Sequence, residues 1–309
     1  MNKVAIRTHD LTMDFGPIRA VDSLSMEVPA GIVFGFLGPN GAGKTTMIRL
    51  LLGLLEPTAG TAVVLGMDTR TQSNQIRVRA GALLEYSGLY ERLSAEENLE
   101  FYGRIWHLPV ADRRSRIRDL LTHVGLWERR KERVGTWSRG MKQKLAVART
   151  LLHRPSLVFL DEPTAGLDPV AAAALREDLA ALAAREGATV FLTTHNLVEA
   201  EKLCKQVAVI RQGKLLAAGH PDELRARSGT ARAEIVGRGF DGPVLALLRA
   251  RSEVAAVELR NGHLLVDLRG DAGMGPLVSL IVQAGAEVEE VRRGKASLEE
   301  AFLSLVEEP

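Results

Sequence analysis

The sequence carries a single cysteine, Cys204, among 309 residues. One thiol cannot close an intrachain disulfide or build a cysteine-rich zinc site, which fits a reducing, intracellular compartment. Such a residue packs as a small apolar side chain rather than acting as a redox centre. Long hydrophobic runs are missing too. No window approaches the roughly 18 to 20 apolar residues that a membrane-crossing helix needs. The start, MNKVAIRTHDLTMDFG, lacks the apolar core of a secretory leader. The expectation is a chain soluble on its own, whose membrane role, if any, comes through a partner. Charge of one sign is also lacking, since 40 Lys and Arg face 38 Asp and Glu. The densest basic run, RRKER at 129–133, is short and interrupted by Glu132, which suits a solvated helix face and argues against nucleic acid as a partner.

What is present is an ordinary globular composition, long enough for one large domain and a smaller one. VAIRTHDLTMDF and VDSLSMEVPAG predict two paired strands. IVFGFLG (32–38) is a continuous apolar run and predicts a strand buried on both faces. KTTMIRLLLGLL, from Lys44 to Leu55, predicts a helix stopped by EPTAG. Strand, glycine-rich turn and helix open an α/β fold with a parallel sheet. Residues 86 to about 155 read as mostly helical. Ser94 with Glu97 forms a capping box, ADRRSRIRDLLTHVGL ends near Gly125, and SRGMKQKLAVARTLLH is stopped by Pro155. SLVFLD (156–161) and ATVFLTT (188–194) predict buried strands around an Ala-rich helix at 169–185, and VAVIRQGKLLAAG (207–219) predicts a hairpin. After a boundary near Gly229, the order strand–helix–strand–strand–helix–strand predicts a small α+β domain of ferredoxin-like type, closed by a helix over SLEEAFLSLV.

GPNGAGKT supplies Gly38, Pro39, Asn40, Gly41, Ala42, Gly43, Lys44 and Thr45 in the pattern G-x-x-x-x-G-K-[ST], with Thr46 following. Glycines let the loop curl so that backbone N–H groups face a phosphate, and the helix start adds positive potential. Lys44 is the cation for the β- and γ-phosphates of a nucleotide, and Thr45 offers a hydroxyl to Mg²⁺. LVFLDEPTAGLDP raises a second point, because its apolar run ends in two adjacent, mutually repelling carboxylates, Asp161 and Glu162. In a parallel sheet, ligands gather at the carboxyl ends of the strands. Asp161 can therefore reach the Mg²⁺ held by Thr45, while Glu162 can act on a water at the γ-phosphate.

WSRGMKQKLAVARTLL, standing just before LVFLDE, resembles the signature segment of ATP-binding-cassette (ABC) ATPases. AGLD (165–168) resembles that family's D-loop, and His195 in LTTHNLVEAE resembles its switch histidine. The resemblance covers residues 4 to about 225. It implies a P-loop NTPase core with a parallel sheet, an N-terminal antiparallel β part and a helical subdomain at about 86–155, so that the domains fall at 4–228 and 229–309. It further implies that Phe15 stacks on adenine and that His195 meets the γ-phosphate. Ser138, Arg139 and Gly140 would start a helix facing ATP bound by a second copy, with Asp168 at the subunit boundary. Glu85 stands where the family usually has Gln sensing Mg²⁺ and the attacking water. Arg139 and Met141 are further departures from the common signature.

The implied function is ATP hydrolysis that powers a separate membrane permease from the cytoplasmic face of the cell membrane. Tyr86, Leu89 and Tyr90 fit either a groove for that permease or the core of the helical part. Two non-transport readings fit less well. Translation cassettes generally join two P-loops in one chain, whereas one occurs here, and DNA-associated ones insert long coiled coils between P-loop and signature, whereas Lys44 and Ser138 stand only 94 positions apart. The tail resembles that of drug-, antibiotic- and sodium-exporting cassettes, which favours export. Its role is open between dimer contact, regulation and plain stabilisation.

Overall fold

The computed structural model describes residues 3–227, 230–260, 262–269 and 273–295, in two compact units that divide between Ala218 and Gly219. The boundary expected near Gly229 and the helix expected over SLEEAFLSLV lie outside the described residues. In chain order, the first unit runs β1 (Val4–Phe15), β2 (Ile18–Pro29), β3 (Val33–Leu37), α1 (Lys44–Leu51), β4 (Ala59–Val64), β5 (Met67–Asp68), α2 (Ser73–Arg79) and β6 (Ala80–Leu83). Helices α3 (Ala95–Ile105), α4 (Val110–His123) and α5 (Arg139–Thr150) follow. Then come β7 (Leu157–Asp161), α6 (Pro169–Glu186), β8 (Thr189–Thr194), α7 (Leu197–Leu203), β9 (Gln206–Arg211) and β10 (Lys214–Gly219).

Residue pattern sorts these strands into two sheets. The amphipathic β1 and β2 pair antiparallel within the order β2-β1-β4-β5. The apolar runs make the second sheet, β10-β9-β3-β8-β7-β6, in which β9, β3, β8, β7 and β6 pair in parallel. Every residue of β7 and β8 is buried, as expected for parallel strands covered on both faces. Phe34 and Phe36 of β3 and Phe159 of β7 surround Phe191 of β8, with ring centroids 5.5–5.7 Å apart. Met47, Ile48, Leu50 and Leu51 of α1 share that core. These rings lock the three neighbouring strands that carry the site. Truncating one of them to Ala would cost roughly 3–5 kcal/mol.

Three expectations need adjusting. Helix α1 ends at Leu51, short of Leu55, because Gly53 takes φ +61°. Its N–H donates to Leu50 O at 3.0 Å while Leu54 N–H donates to Arg49 O at 2.8 Å, a Schellman closure. Residues 86–93 are not helical; the helical part begins at Ala95, where Ser94 and Glu97 cap each other reciprocally. Strands β4 to β6 and α2 went unpredicted. In β6 small residues replace an apolar run, since a Cβ on Gly81 would overlap Thr150 O of α5. Cys204 is buried, and a Cβ on Gly35 would come within 2.8 Å of its Sγ. Burial pushes its thiol up to about 12, which leaves it unreactive.

The second unit opens with α8 (Pro221–Arg227) and continues β11 (Thr230–Arg238), α9 (Gly242–Arg249), β12 (Val254–Arg260), β13 (His263–Arg269), α10 (Gly275–Gln283) and β14 (Glu287–Lys295). Its sheet is antiparallel in the order β12-β13-β11-β14, the arrangement of a ferredoxin-like α+β layer. Val244 and Leu248 on α9, and Leu277 and Ile281 on α10, each four residues apart, share its core with Ile235, Leu264 and Val266.

Candidate active site

Strand β3 ends at Leu37, and Gly38–Gly43 curls back to start α1 at Lys44. Gly41 and Gly43 hold φ at +78° and +102°, where L side chains rarely go. A Cβ on Gly43 would overlap Ala20 O of β2, and one on Gly38 would overlap Ile210 O of β9. The turn between β9 and β10 props the loop from below, with Gly213 N–H donating to Ala42 O at 3.1 Å. Pro39, Asn40 and Gly41 are exposed at its crest, and Thr45 and Thr46 are half-buried in the first turn of α1. Among the described residues no side chain caps that helix, and its first turn has no acid. The positive end of the helix therefore faces outward, suited to a phosphate.

The two adjacent carboxylates face different partners. Asp161 Oδ2 accepts from Thr45 Oγ1 at 2.6 Å, and its Oδ1 accepts from Thr193 Oγ1 at 2.5 Å. Glu162 Oε1 lies 3.1 Å from Lys44 Nζ, and Oε2 lies 2.8 Å from His195 Nδ1. Since a carboxylate only accepts, Nδ1 of His195 carries the proton and Nε2 points its chemistry elsewhere. Lys44 Nζ also donates to Gly38 O and Pro39 O, at 2.9 and 3.1 Å. These contacts follow from strand order: β7, β8 and β3 are neighbours, and Asp161↔Thr193 and Leu37↔Thr194 stand in register at their carboxyl ends. Glu162 itself takes φ +50°, and its N–H is held by Thr193 O and Oγ1, both at 3.1 Å. A non-glycine residue held there is a strained position of the kind found at reactive sites.

The other expected residues surround this centre at varying distance. Phe15, at the end of β1, is 45% exposed beside Ile18, a ring face open to a flat ligand. Glu85 follows β6 and pairs with Arg49 of α1 at 3.2 Å. Ser138 caps α5 by accepting from Met141 N–H. Arg139 lies against Gly166, where a Cβ would overlap its guanidinium, and Gly140 faces Ala171 of α6. Asp168 caps α6 by accepting from the N–H groups of Val170 and Ala171. Arg139 and Gly140 thus lie against the 166–171 segment that follows Glu162. Tyr90 packs edge-on against Phe101 with centroids 4.8 Å apart, while Tyr86 is 85% exposed.

Residues 21–165 match the family model described as ABC transporter. Across 99% of its length the chain is 37% identical to 96% of the daunorubicin resistance ATP-binding protein DrrA3 of Streptomyces coeruleorubidus. The chain belongs to the ABC transporter ATP-binding family. A second relative, the bacitracin transport ATP-binding protein BcrA of Bacillus licheniformis, is 36% identical over 97% of both chains. Among solved structures, cbiO1 of Clostridium perfringens, part of the ABC transporter complex cbiONQ, matches 73% of this chain and 92% of its own with a TM-score of 0.68 at 25% identity. The cassette is thus an ATPase that binds ATP. Among the described residues, no helix is long and apolar enough to cross a membrane.

The cassette's donor set suits Mg²⁺: a hydroxyl and a carboxylate oxygen 2.6 Å apart, both hard ligands, beside a phosphate-binding loop. No group of three or more His, Cys, Asp or Glu side chains converges among the described residues. An ion that keeps most of its ligands as water and phosphate needs none. Sequence reasoning missed three parts of this cassette. Thr193 fixes both Asp161 and the backbone of Glu162. Gln143 of α5 donates to Pro163 O at 2.7 Å. Glu199 of α7, four residues beyond His195, is buried. The two threonines in LTTH were the available signal, because a polar pair ending a buried strand needs partners.

Proposed function

We propose that the chain is the ATP-hydrolysing subunit of an exporter, acting as a pair of cassettes on a separate membrane permease. Lys44 and the backbone of Gly38–Lys44 hold the phosphates of ATP, and Phe15 stacks on the adenine. Thr45 and Asp161 would hold Mg²⁺, with Glu85 coupled to it, and the ion would neutralise charge on the phosphate oxygens. Glu162 accepts the proton of the attacking water as general base. His195 keeps Glu162 oriented through Nδ1–H and turns Nε2 toward the γ-phosphate. Ser138, Arg139, Gly140 and Asp168 complete the site of a second copy.

One observation carries this reading: Glu162 sits between Lys44 and His195, with the Thr45–Asp161 pair alongside. A carboxylate so placed borders both the phosphate-binding cation and the strand end where a water can be activated. The second reading, that Glu162 is only a turn acid, leaves its contacts with Lys44 and His195 without a purpose. Glu162→Gln is expected to keep ATP binding, lower turnover by at least about 10²-fold and trap an ATP-bound dimer. Unchanged turnover refutes the assignment.

Export of a drug, antibiotic or lipid-like compound is favoured because relatives matching nearly the whole chain are named for daunorubicin resistance and bacitracin transport. The subunit would lie peripherally on the cytoplasmic face of the cell membrane. The exposed Tyr86 and Tyr90 supply apolar area on a charged segment, the chemistry of a docking groove for a permease helix. Residues 4–228 would form the cassette, and 229–309 an accessory domain. Co-purification of a membrane protein with the tagged chain tests the partnership.

A further inference from the structure

Glu199 lies four residues beyond His195, in the first turn of α7, and is 7% exposed. A buried carboxylate persists when it is paired and hydrogen-bonded. Its two oxygens divide between two different elements. Oε1 accepts from Arg176 Nη1 of α6 at 2.7 Å, and Oε2 accepts from Thr164 Oγ1 at 2.6 Å. Asn196, directly after His195, caps α7 by accepting from Glu199 N–H at 3.1 Å. The Glu199 side chain therefore joins α7 to helix α6 and to the loop that leaves Glu162, while its backbone N–H closes the cap that follows His195.

That loop is short and strained. Glu162 holds φ +50°, Ala165 N–H donates to Glu162 O at 3.0 Å, and Leu167 N–H donates to Thr164 O at 3.1 Å. Thr164 is thus two residues from the general base and inside the same turn. Gln143 holds the neighbouring carbonyl of Pro163 from the α5 side. From the other side, the hydroxyl of Thr164 is tied to Glu199. Resting on the role proposed for Glu162, we infer that Glu199 is a positioning residue for hydrolysis. Through Thr164 its carboxylate ties the turn that aims Glu162 to α7, the helix that starts directly after His195 under the Asn196 cap, so that base and histidine are held to one element. Arg176 neutralises it from behind and lets the carboxylate stay buried.

The arrangement predicts a split between rate and binding. The P-loop contacts of Lys44 and Thr45 do not involve Glu199, so affinity for nucleotide should survive its disconnection while the base loses its aim. Thr164→Val keeps the volume of the side chain and removes the hydroxyl alone. It is expected to lower kcat about 10-fold, with KM for ATP within about 2-fold and the melting temperature nearly unchanged. Thr164→Ser restores the donor and should recover most of the rate. Glu199→Gln, which keeps shape but offers one acceptor for two donors, should show the same kcat-weighted loss. Wild-type kcat in a folded Thr164→Val chain overturns the inference, as does a loss that Thr164→Ser fails to rescue. A loss carried by KM overturns it as well. Glu162→Gln is run in parallel: if that variant turns over normally, the base assignment fails whatever the Thr164 variants do.

Discussion

At the scale of single residues, Glu85 shows how position qualifies chemistry. Its partner Arg49 lies four residues beyond Thr45 on α1, so Thr45 and Arg49 share one face of that helix. Glu85 is thereby held on the same side as the hydroxyl proposed for Mg²⁺. The pair is 40% and 54% exposed, and exposed ion pairs contribute only roughly 0–1 kcal/mol. Arg49 can therefore release Glu85 at little cost. Glu85→Ala is expected to change the ATPase rate several-fold while leaving the melting temperature within the scatter of a surface substitution. An unchanged rate at saturating ATP and Mg²⁺ reduces Glu85 to a surface ion pair.

Among elements, the junction of β6 with α3, α4 and α5 has its own pH dependence. His153, just past α5, stacks on Trp106 with centroids 3.9 Å apart and planes 9° from parallel. Its Nε2 lies 3.1 Å from Ala80 O of β6, which accepts, so Nε2 carries the proton, and the buried Nδ1 has no hydrogen-bond partner among the described residues. A second proton would need a donor site at Nδ1 beside the cations of Arg116 and Arg149. Burial first, then those charges, hold the imidazole below its ordinary range. The unfolded chain thus binds this proton at a higher pH than the folded one. Stability is full above the ordinary histidine value of about 6.5 and declines as pH falls through it, levelling off below the folded value. His153→Phe keeps the stack and removes the titration. The melting temperature of the wild type should drop more than the variant's between about pH 7.5 and 5.5. Parallel curves would show that His153 does not titrate with unfolding.

The same region marks the limit of what the sequence could disclose. Elements announced by local chemistry were legible: the Ser94–Glu97 cap, the P-loop between β3 and α1, and the apolar runs of β7 and β8. So was the strand–helix order of the second unit. The extent of α1 was overread because Gly53 outweighed the apolar run around it. Strand β6 left no trace because its glycine and alanines are selected for close approach to α5. The roles of Thr193, Gln143 and Glu199 depend on which strands and helices become neighbours. No spacing in the chain encodes that.

For the whole molecule, the proposed pairing of two cassettes turns on two separate clusters carried by one chain. Lys44, Asp161 and Glu162 gather on adjacent strand ends, whereas the start of α5 rests on the loop beyond Glu162 and on α6. That helix start carries Arg139 and no acid in its first turn, a cation placed at the positive end of a dipole. An anion from elsewhere would relieve it, and a twofold pair supplies one, because each copy's phosphates then meet the other's signature. Complementation tests this. Lys44→Ala and Ser138→Arg chains should each be inactive alone. If sites are shared, a mixed pair joins the intact P-loop of one chain to the intact signature of the other. An equal mixture should then regain up to about a quarter of the wild-type rate, since half the pairs are mixed and each holds one sound site. If each chain hydrolyses ATP with its own signature, both sites of every mixed pair stay defective and mixing restores nothing.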